Sequence, residues 1–359
     1  MQPLNKFRYL LAPFSWLYGG FNALRNWFFD KGLTRSFRFD FPVISVGNLS
    51  TGGTGKTPHI EFIIRLLKDK YRVGVVSRGY GRRTKGFIVV ETGSEARNVG
   101  DEPLQIKQNH PETNVAVGEQ RIIAIPSLLH EAPDTQVILL DDAFQHRYVR
   151  PGMNILLTDY NHLFYRDRVL PAGNLREFKG GYRRADVIIV TKSPRGLSAG
   201  EKEKIVSEIK PREGQEVFFS FLDYGQPYRL TNRTEKVPAG SRVFFFAGIA
   251  NASPVKSYLD ENSVGYEIVK LADHYNYTAF KLDELKKRFD EWEGSNKILL
   301  TTQKGAVKLA QGGLRDKIKD WPLYVLPVEI GMNEGDRQRF SALLQTYIQN
   351  ELSNTTDDE

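Results

Sequence analysis

Residues 50–57 read S-T-G-G-T-G-K-T, directly after the apolar run Pro42 to Val46 and directly before a stretch of helical periodicity. Strand, glycine-rich turn and helix in that order form a phosphate-binding loop. The backbone N–H groups and the helix N-terminus supply positive potential at one point, and a lysine reaches the outer phosphates. Gly52, Gly53 and Gly55 let the backbone approach a ligand or adopt conformations a Cβ would forbid. On this reading Ser50, Thr51, Gly52, Gly53, Thr54, Gly55, Lys56 and Thr57 bind a nucleoside triphosphate, with Lys56 on the β- and γ-phosphates and the Thr57 hydroxyl on Mg²⁺. Pro58 suits the first helical turn. The first glycine of the common G-x-x-x-x-G-K-[ST] pattern is Ser50 here, and the alternative is a strand-to-helix turn with no ligand.

A length of 359 residues predicts about two domains. Without cysteine the chain can form neither disulfides nor thiolate metal sites, which leaves an oxygen-ligated ion such as magnesium. The net charge of +7 is partly concentrated at the front, where Lys6, Arg8, Arg25, Lys31, Arg35 and Arg38 face only Asp30 and Asp40. Between Arg8 and Arg25 the chain is uncharged but carries Pro13 and the Gly19-Gly20 pair, and it is short for a membrane span. Phe14, Trp16, Tyr18, Phe21, Trp27 and Phe28, flanked by basic residues, fit a segment lying in a membrane interface; the alternative is an ordinary helix packed on the domain. A cleaved secretory signal is not expected, since no small-residue cleavage site follows.

Periodicity gives a helix over Glu61 to Lys70. Strands come next at Arg72 to Ser77, Phe87 to Val90, Val137 to Leu140, Asn154 to Thr158 and Val187 to Val190. The alternation predicts an α/β fold, a P-loop NTPase-like, mainly parallel sheet covered by helices. The run Asp223 to Gly240 is polar and broken by Gly225, Pro227, Pro238 and Gly240, as a linker would be. Beyond it, strands at Arg242 to Phe246, Tyr266 to Leu271, Lys297 to Thr301 and Leu323 to Val328 alternate with helices near Pro254 to Glu261, Lys281 to Trp292 and Arg337 to Gln349. The expected organisation is a membrane-interface segment at 1–40, a P-loop core at 41–225, a linker at 226–240 and a smaller α/β domain at 241–359.

V-I-L-L-D-D at 137–142 is an apolar strand ending in Asp141 and Asp142, where one carboxylate can hold Mg²⁺ and the other orient a substrate group; a surface turn would favour aspartate too. In G-D-E-P at 100–103, Asp101 is either a catalytic carboxylate or a helix cap. In D-H-Y at 273–275, His274 follows a strand and can relay a proton, though a lone histidine is usually structural. S-R-G-Y-G-R-R (77–83) and P-A-G-N-L-R-E-F (171–178) offer Arg78, Arg82, Arg83 and Arg176 to phosphate, or form solvated basic loops.

In order, G-N-L-S-T-G-G-T-G-K-T-P (47–58), S-R-G-Y-G-R (77–82), G-D-E-P, D-D-A-F-Q-H-R (141–147), L-P-A-G-N-L-R-E (170–177), F-A-G-I-A-N (246–251) and D-H-Y resemble the tetraacyldisaccharide 4'-kinase family, the lipid A disaccharide kinases. The resemblance implies ATP-dependent phosphorylation of the 4'-hydroxyl of an acylated glucosamine disaccharide 1-phosphate. The product would be a bisphosphorylated lipid A precursor of lipopolysaccharide, made at the cytoplasmic face of the bacterial inner membrane. It also implies a P-loop domain joined by a short β linker to a smaller α/β domain, with ATP and Mg²⁺ required, a peripheral or monotopic monomer, and no nucleic-acid partner.

By the same resemblance Asp101 is the catalytic base with His274 as its partner, and Lys56 and Arg176 serve the transferred phosphoryl group. Thr57, Asp142 and Glu177 lie at the metal and phosphates, and Arg78, Tyr80, Arg121, Asp141, His146 and Asn174 lie at the substrate. The chain departs from the family at Gln303 and Gly305, within T-T-Q-K-G-A-V-K (301–308), where acidic residues are usual. The rival reading is a membrane-associated P-loop regulatory ATPase, but such loops carry lysine where this chain has Thr51. A GTPase is disfavoured because T-K-S-P (191–194) lacks the aspartate of N-K-x-D, and a non-enzymatic scaffold leaves the P-loop unexplained.

Overall fold

A computed structural model describes residues 11–249, 252–272 and 275–356. In the N-terminal part, α1 (Ala12–Asp30) precedes β1 (Val43–Asn48), α2 (Lys56–Leu67), β2 (Val73–Ser77), β3 (Ile88–Val89), α3 (Ala96–Val99) and α4 (Asp101–Asn109). The chain continues through β4 (Asn114–Val117), α5 (Arg121–Glu131), β5 (Val137–Asp141), β6 (Met153–Asp159), β7 (Val187–Thr191), α6 (Ala199–Ile209) and β8 (Glu216–Tyr224). The central strands V-I-S-V-G-N, V-I-L-L-D and V-I-I-V-T are buried along their whole length, as parallel strands covered on both faces must be. Parallel pairing aligns Val46 with Asp141 and Asp159 with Thr191. The strand ends that carry polar residues thus share one edge, where α/β sheets bind ligands.

The second unit holds β9 (Tyr228–Arg229), β10 (Asn232–Lys236), β11 (Arg242–Gly248), α7 (Ser253–Asn262), β12 (Tyr266–Leu271), α8 (Ala279–Glu291), β13 (Lys297–Thr302), α9 (Gln303–Leu309), α10 (Gly312–Ile318) and β14 (Leu323–Leu326). Its sheet runs β10-β9-β14-β13-β11-β12, with the last four of these strands parallel. The segment expected as a linker is therefore partly a hairpin edge: Tyr228 and Arg229 pair antiparallel with Val325 and Tyr324.

The expected boundary at 241–359 needs correction. After Pro327 the chain returns to the first unit as β15 (Val328–Met332) and α11 (Glu334–Thr356). Strand β15 pairs antiparallel with β8, Val328 opposite Tyr224 and Met332 opposite Ser220, and completes a nine-stranded sheet of order β15-β8-β7-β6-β1-β5-β2-β4-β3. The single strand expected at 323–328 is thus two, in different sheets. Pro327 has no N–H to continue a ladder, and the alternation beyond it turns Ile330 and Met332 into the first core. Helix α11 adds Phe340, Leu344 and Ile348 to that core, with Phe340 stacked 6.2 Å from Phe62 and edge-on 5.3 Å from Phe218.

Helix α2 is fastened from beneath by His59, whose Nδ1 is 2.7 Å from Gly55 O and whose Nε2 is 3.0 Å from Ser220 Oγ. Burial is the main cause that lowers its pKa to about 4, with the charge of Lys192 acting in the same direction, so the ring is neutral in the folded protein near pH 7.

Phe340→Ala should cost about 3–5 kcal/mol, measured by urea denaturation, because the cavity would open between strands and helices drawn from both ends of the chain. Below the ordinary value of 6.5 the unfolded state binds a proton that folded His59 refuses until about pH 4, so the unfolding free energy should fall as pH drops across that window. His110, lowered to about 4 mainly by burial, acts in the same direction. His59→Gln should flatten the slope, read from denaturation midpoints at pH 7 and pH 5.

Candidate active site

The P-loop lies between the end of β1 and the start of α2. Gly52 (φ 114°) and Gly55 (φ 85°) take left-handed conformations, and Gly55 caps the helix without a side-chain bond. The loop is pinned from behind. Thr51 N donates to Asn174 O at 2.7 Å, Asn48 Nδ2 donates to Thr54 Oγ1 at 3.0 Å, and Lys192 Nζ donates to Gly53 O at 2.6 Å. Lys192 also pairs with Asp159 at 2.6 Å, at the adjoining strand ends. Sequence reasoning meets Lys192 only as part of T-K-S-P and passes over His59, whose partner Ser220 is brought to it by the sheet.

Three charged side chains meet at the start of α2. Arg176 Nη1 lies 3.0 Å from Asp142 Oδ1, and Lys56 Nζ lies 3.7 Å from the same oxygen. Asp142 has φ 49°, a left-handed position that aspartate tolerates, and its carboxylate is about one-third exposed. Asp141 points inward and is buried. Its Oδ2 accepts from Ser77 Oγ at 3.0 Å, and its Oδ1 has no hydrogen-bond partner. Burial, with the Glu102 and Asp142 carboxylates nearby, pushes its pKa well above the usual carboxylate range. The two aspartates of one motif therefore differ in kind, one open and paired with cations, the other enclosed.

Several expected site residues are braces. Arg121 is 2% exposed, donates to Gly118 O at 2.9 Å and Asp141 O at 3.1 Å, and has its pKa lowered to about 10 by burial. The structure places it beneath the paired aspartates and away from the surface. The Asn174 amide donates to Asp167 at 3.0 Å, which shapes the loop whose carbonyl holds Thr51. Glu177 is buried and accepts from Asn26 at 2.7 Å, Arg184 at 2.8 Å and Gln145 at 3.2 Å. Gln145, which in sequence is only one letter of D-D-A-F-Q-H-R, also donates to Asn48 O at 2.8 Å, and its Oε1 accepts from Arg176 at 3.4 Å. It thereby joins the P-loop strand, Glu177 and Arg176. The His146 ring is half-buried beside Tyr148, and burial, then Arg121, lowers its pKa.

Arg78 and Tyr80 are exposed, Tyr80 at 79%. Arg82, expected to suit phosphate, is instead a brace, bonded to Glu119 at 2.6 Å and Gly86 O at 2.7 Å. The loop carrying them abuts G-D-E-P: a Cβ on Gly100 (φ 95°) would lie 3.1 Å from Gly79 Cα, so the two motifs need glycine to meet. Asp101 is the first residue of α4, after Gly100 at the N-cap, and its Oδ2 lies 3.1 Å from Lys308 Nζ in the second unit. The cap position itself is Gly100, so Asp101 stands one residue past the cap expected of it. His274 lies outside the described residues, as do Asp273 and residues 250–251 of the F-A-G-I-A-N motif.

The departures at Gln303 and Gly305 have local accounts. Gln303 Oε1 accepts from Val328 N at 3.1 Å, at the crossing back to the first unit. Gly305 is buried, and a Cβ there would meet Thr301 Oγ1 at 2.5 Å. The cap of α9 comes from Thr302, whose hydroxyl accepts from Gly305 N.

Helix α1 lies beside the site with its apolar side turned out. Ser15, Gly19, Asn26 and Phe29 face the protein: Ser15 Oγ accepts from Ala172 N at 2.9 Å, Gly19 sits under the Phe178 ring, and Asn26 holds Glu177. Opposite them, Phe14, Trp16, Leu17, Phe21 and Leu24 are 54–73% exposed. No helix among the described residues is long and apolar enough to cross a membrane.

Among the described residues no three His, Asp or Glu side chains converge as a metal cage. Magnesium needs no such cage when phosphate oxygens and waters complete its shell. The Thr57 hydroxyl at the start of α2 and the open carboxylate of Asp142 are oxygen donors of the right kind beside a P-loop.

Comparison with known proteins bears on the family and the fold. The family model described as tetraacyldisaccharide-1-P 4'-kinase matches residues 7–349. A tetraacyldisaccharide 4'-kinase of Phocaeicola vulgatus is 37% identical, covering 98% of this chain and 97% of the relative. One of Flavobacterium johnsoniae is 39% identical, covering 97% and 99%. A crystal structure of the "apo" form of LpxK from Aquifex aeolicus in complex with ATP superposes with a TM-score of 0.72 at 29% identity, covering 95% of this chain and 99% of that one. With the family model spanning nearly its whole length, the chain belongs to the tetraacyldisaccharide-1-P 4'-kinase family.

Proposed function

We propose that this protein transfers the γ-phosphoryl group of ATP to the 4'-hydroxyl of a tetraacylated glucosamine disaccharide 1-phosphate. The observation that carries the reading is the meeting of Lys56, Arg176 and Asp142 at the N-terminus of α2, with Asp101 on the neighbouring helix α4. The sugar oxygen attacks the γ-phosphorus, the bond to the β-phosphate bridging oxygen breaks, and ADP leaves. The hydroxyl proton passes to the Asp101 carboxylate, with His274 as its partner on the strength of the family resemblance. Most of the acceleration comes from positioning and charge neutralisation. Lys56 and Arg176 supply two cations on the phosphoryl group, while the first N–H groups of α2, which have no intrahelical acceptor, cradle the phosphates. Thr57 and Asp142 would hold magnesium, which when bound neutralises phosphate charge.

An acylated substrate resides in a bilayer, and the outward aromatic side of α1 supports contact with it. On this reading the protein works as a peripheral or monotopic monomer on the cytoplasmic face of the inner membrane. The same helix touches Glu177 and the backbone of Gln145 through Asn26 and Arg25, so membrane contact and the phosphate site share one element.

Transfer of labelled γ-phosphate to the acylated disaccharide 1-phosphate in micelles tests the reaction. Lys56→Ala and Asp101→Ala should each lower turnover about 10²–10⁴-fold with the fold intact by circular dichroism. ATP hydrolysis without acceptor phosphorylation would overturn the reading. In co-sedimentation with anionic phospholipid vesicles, the double variant Trp16→Ser/Phe21→Ser should bind at least about tenfold more weakly, since each exposed aromatic contributes about 1.5–3 kcal/mol when buried. Unchanged binding would remove α1 from the membrane contact.

A further inference from the structure

Helices α4 and α9 face each other across the two units, and the charges on them are matched. Asp101 and Glu102 open α4; Lys304 and Lys308 stand one turn apart on α9. Lys304 pairs with Glu102 at 3.3 Å, and Lys308 pairs with Asp101 at 3.1 Å. The two pairs differ in setting. Lys304 and Glu102 are 27% and 34% exposed, whereas Lys308 is only 11% exposed. Lys308 Nζ also lies 3.2 Å from Tyr275 O and 3.3 Å from Asn276 Oδ1, in the loop after β12. One ammonium group therefore joins an aspartate of the first unit to a loop of the second.

We propose that Lys308 is a positioning residue for phosphoryl transfer. It engages the Asp101 carboxylate through Oδ2 and sets the 275–276 loop against it when the units are together. A carboxylate at the first position of a helix, one past a glycine cap, has several rotamers open to it; a largely buried cation held by two further acceptors selects one. Lys304, more exposed and paired with a residue given no chemical role, is a clasp between the units. This inference rests on the kinase reading and on Asp101 as the base.

Steady-state transfer assays on Lys308→Met, Lys308→Arg, Lys304→Met and Asp101→Asn test it, with thermal melts alongside. Lys308→Met should lower kcat at least about thirtyfold with KM for ATP within about twofold, part of the loss should return in Lys308→Arg, and Lys304→Met should stay within about threefold of wild type. Because Lys308 acts through Asp101, the double variant Asp101→Asn/Lys308→Met should be no slower than Asp101→Asn alone. A kcat for Lys308→Met within about twofold of wild type would overturn the proposal. So would equal losses in the two lysine variants accompanied by equal drops in melting temperature, or losses that multiply in the double variant. Absence of transfer by the intact enzyme would instead defeat the kinase reading, and full activity of Asp101→Asn would defeat the assignment of the base.

Discussion

Everything at the candidate site depends on the backbone of residues 51–55 being held from behind. A loop with two left-handed glycines loses much conformational entropy when ordered, and phosphate binding alone would have to offset that loss. Here the protein meets it in advance. Lys192 takes the Gly53 carbonyl, His59 the Gly55 carbonyl, and the Asn174 carbonyl takes Thr51 N, from three different segments of the chain. With those carbonyls tied back, the helix N-terminus keeps its positive potential toward the ligand side. The neutrality of His59 comes from its enclosure, so the ring serves the fold without adding charge beneath the phosphates.

The need for a rigid frame also explains why so many polar residues near the site touch one another. Arg121 braces the end of β5, Ser77 and burial hold Asp141, and Gln145 connects the P-loop strand to Glu177 and Arg176. That network surrounds Lys56, Asp142 and Arg176 at the phosphate end, with the exposed residues Arg78 and Tyr80 on the loop next to Asp101. A catalytic aspartate and a bracing arginine look alike in a motif; only burial and partners separate them.

The P-loop and V-I-L-L-D-D are legible in the sequence because their chemistry is local: strand, turn and helix signals sit within a short stretch of the groups they position. The short strand β4 (N-V-A-V) and helix α5, interrupted by Pro126, carry weak local signals and are not. Neither is the return of β15 and α11 to the first sheet. The run at 323–328 reads as one strand, and the sheet that Val328 to Met332 join is decided by Tyr224 and the other β8 residues, far earlier in the chain. Lys308 closes T-T-Q-K-G-A-V-K, but its importance comes from Asp101, distant in sequence and in the other unit. Arg82 reads as a phosphate-binding group because charge is visible in sequence and burial is not, and Arg121, assigned to the substrate by resemblance, is buried as well.

The crossings between the units give the charged helices their leverage. The chain leaves the first sheet after Tyr224 and returns at Val328, and these residues are antiparallel partners; Gly225 N also donates to Pro327 O at 3.1 Å. The two passages of the chain between the units therefore run side by side and are bonded to each other. Gln303, at the start of α9, holds Val328 N at the crossing itself, while Lys308 at the far end of that short helix reaches Asp101. Helix α9 is thus bonded to the crossing at its start and to the first unit near its end. A rotation that carries the second unit away from the first would separate Lys308 from Asp101 and remove the 275–276 loop with it. The Asp101 carboxylate and the 275–276 loop thus share one ammonium group across the two units.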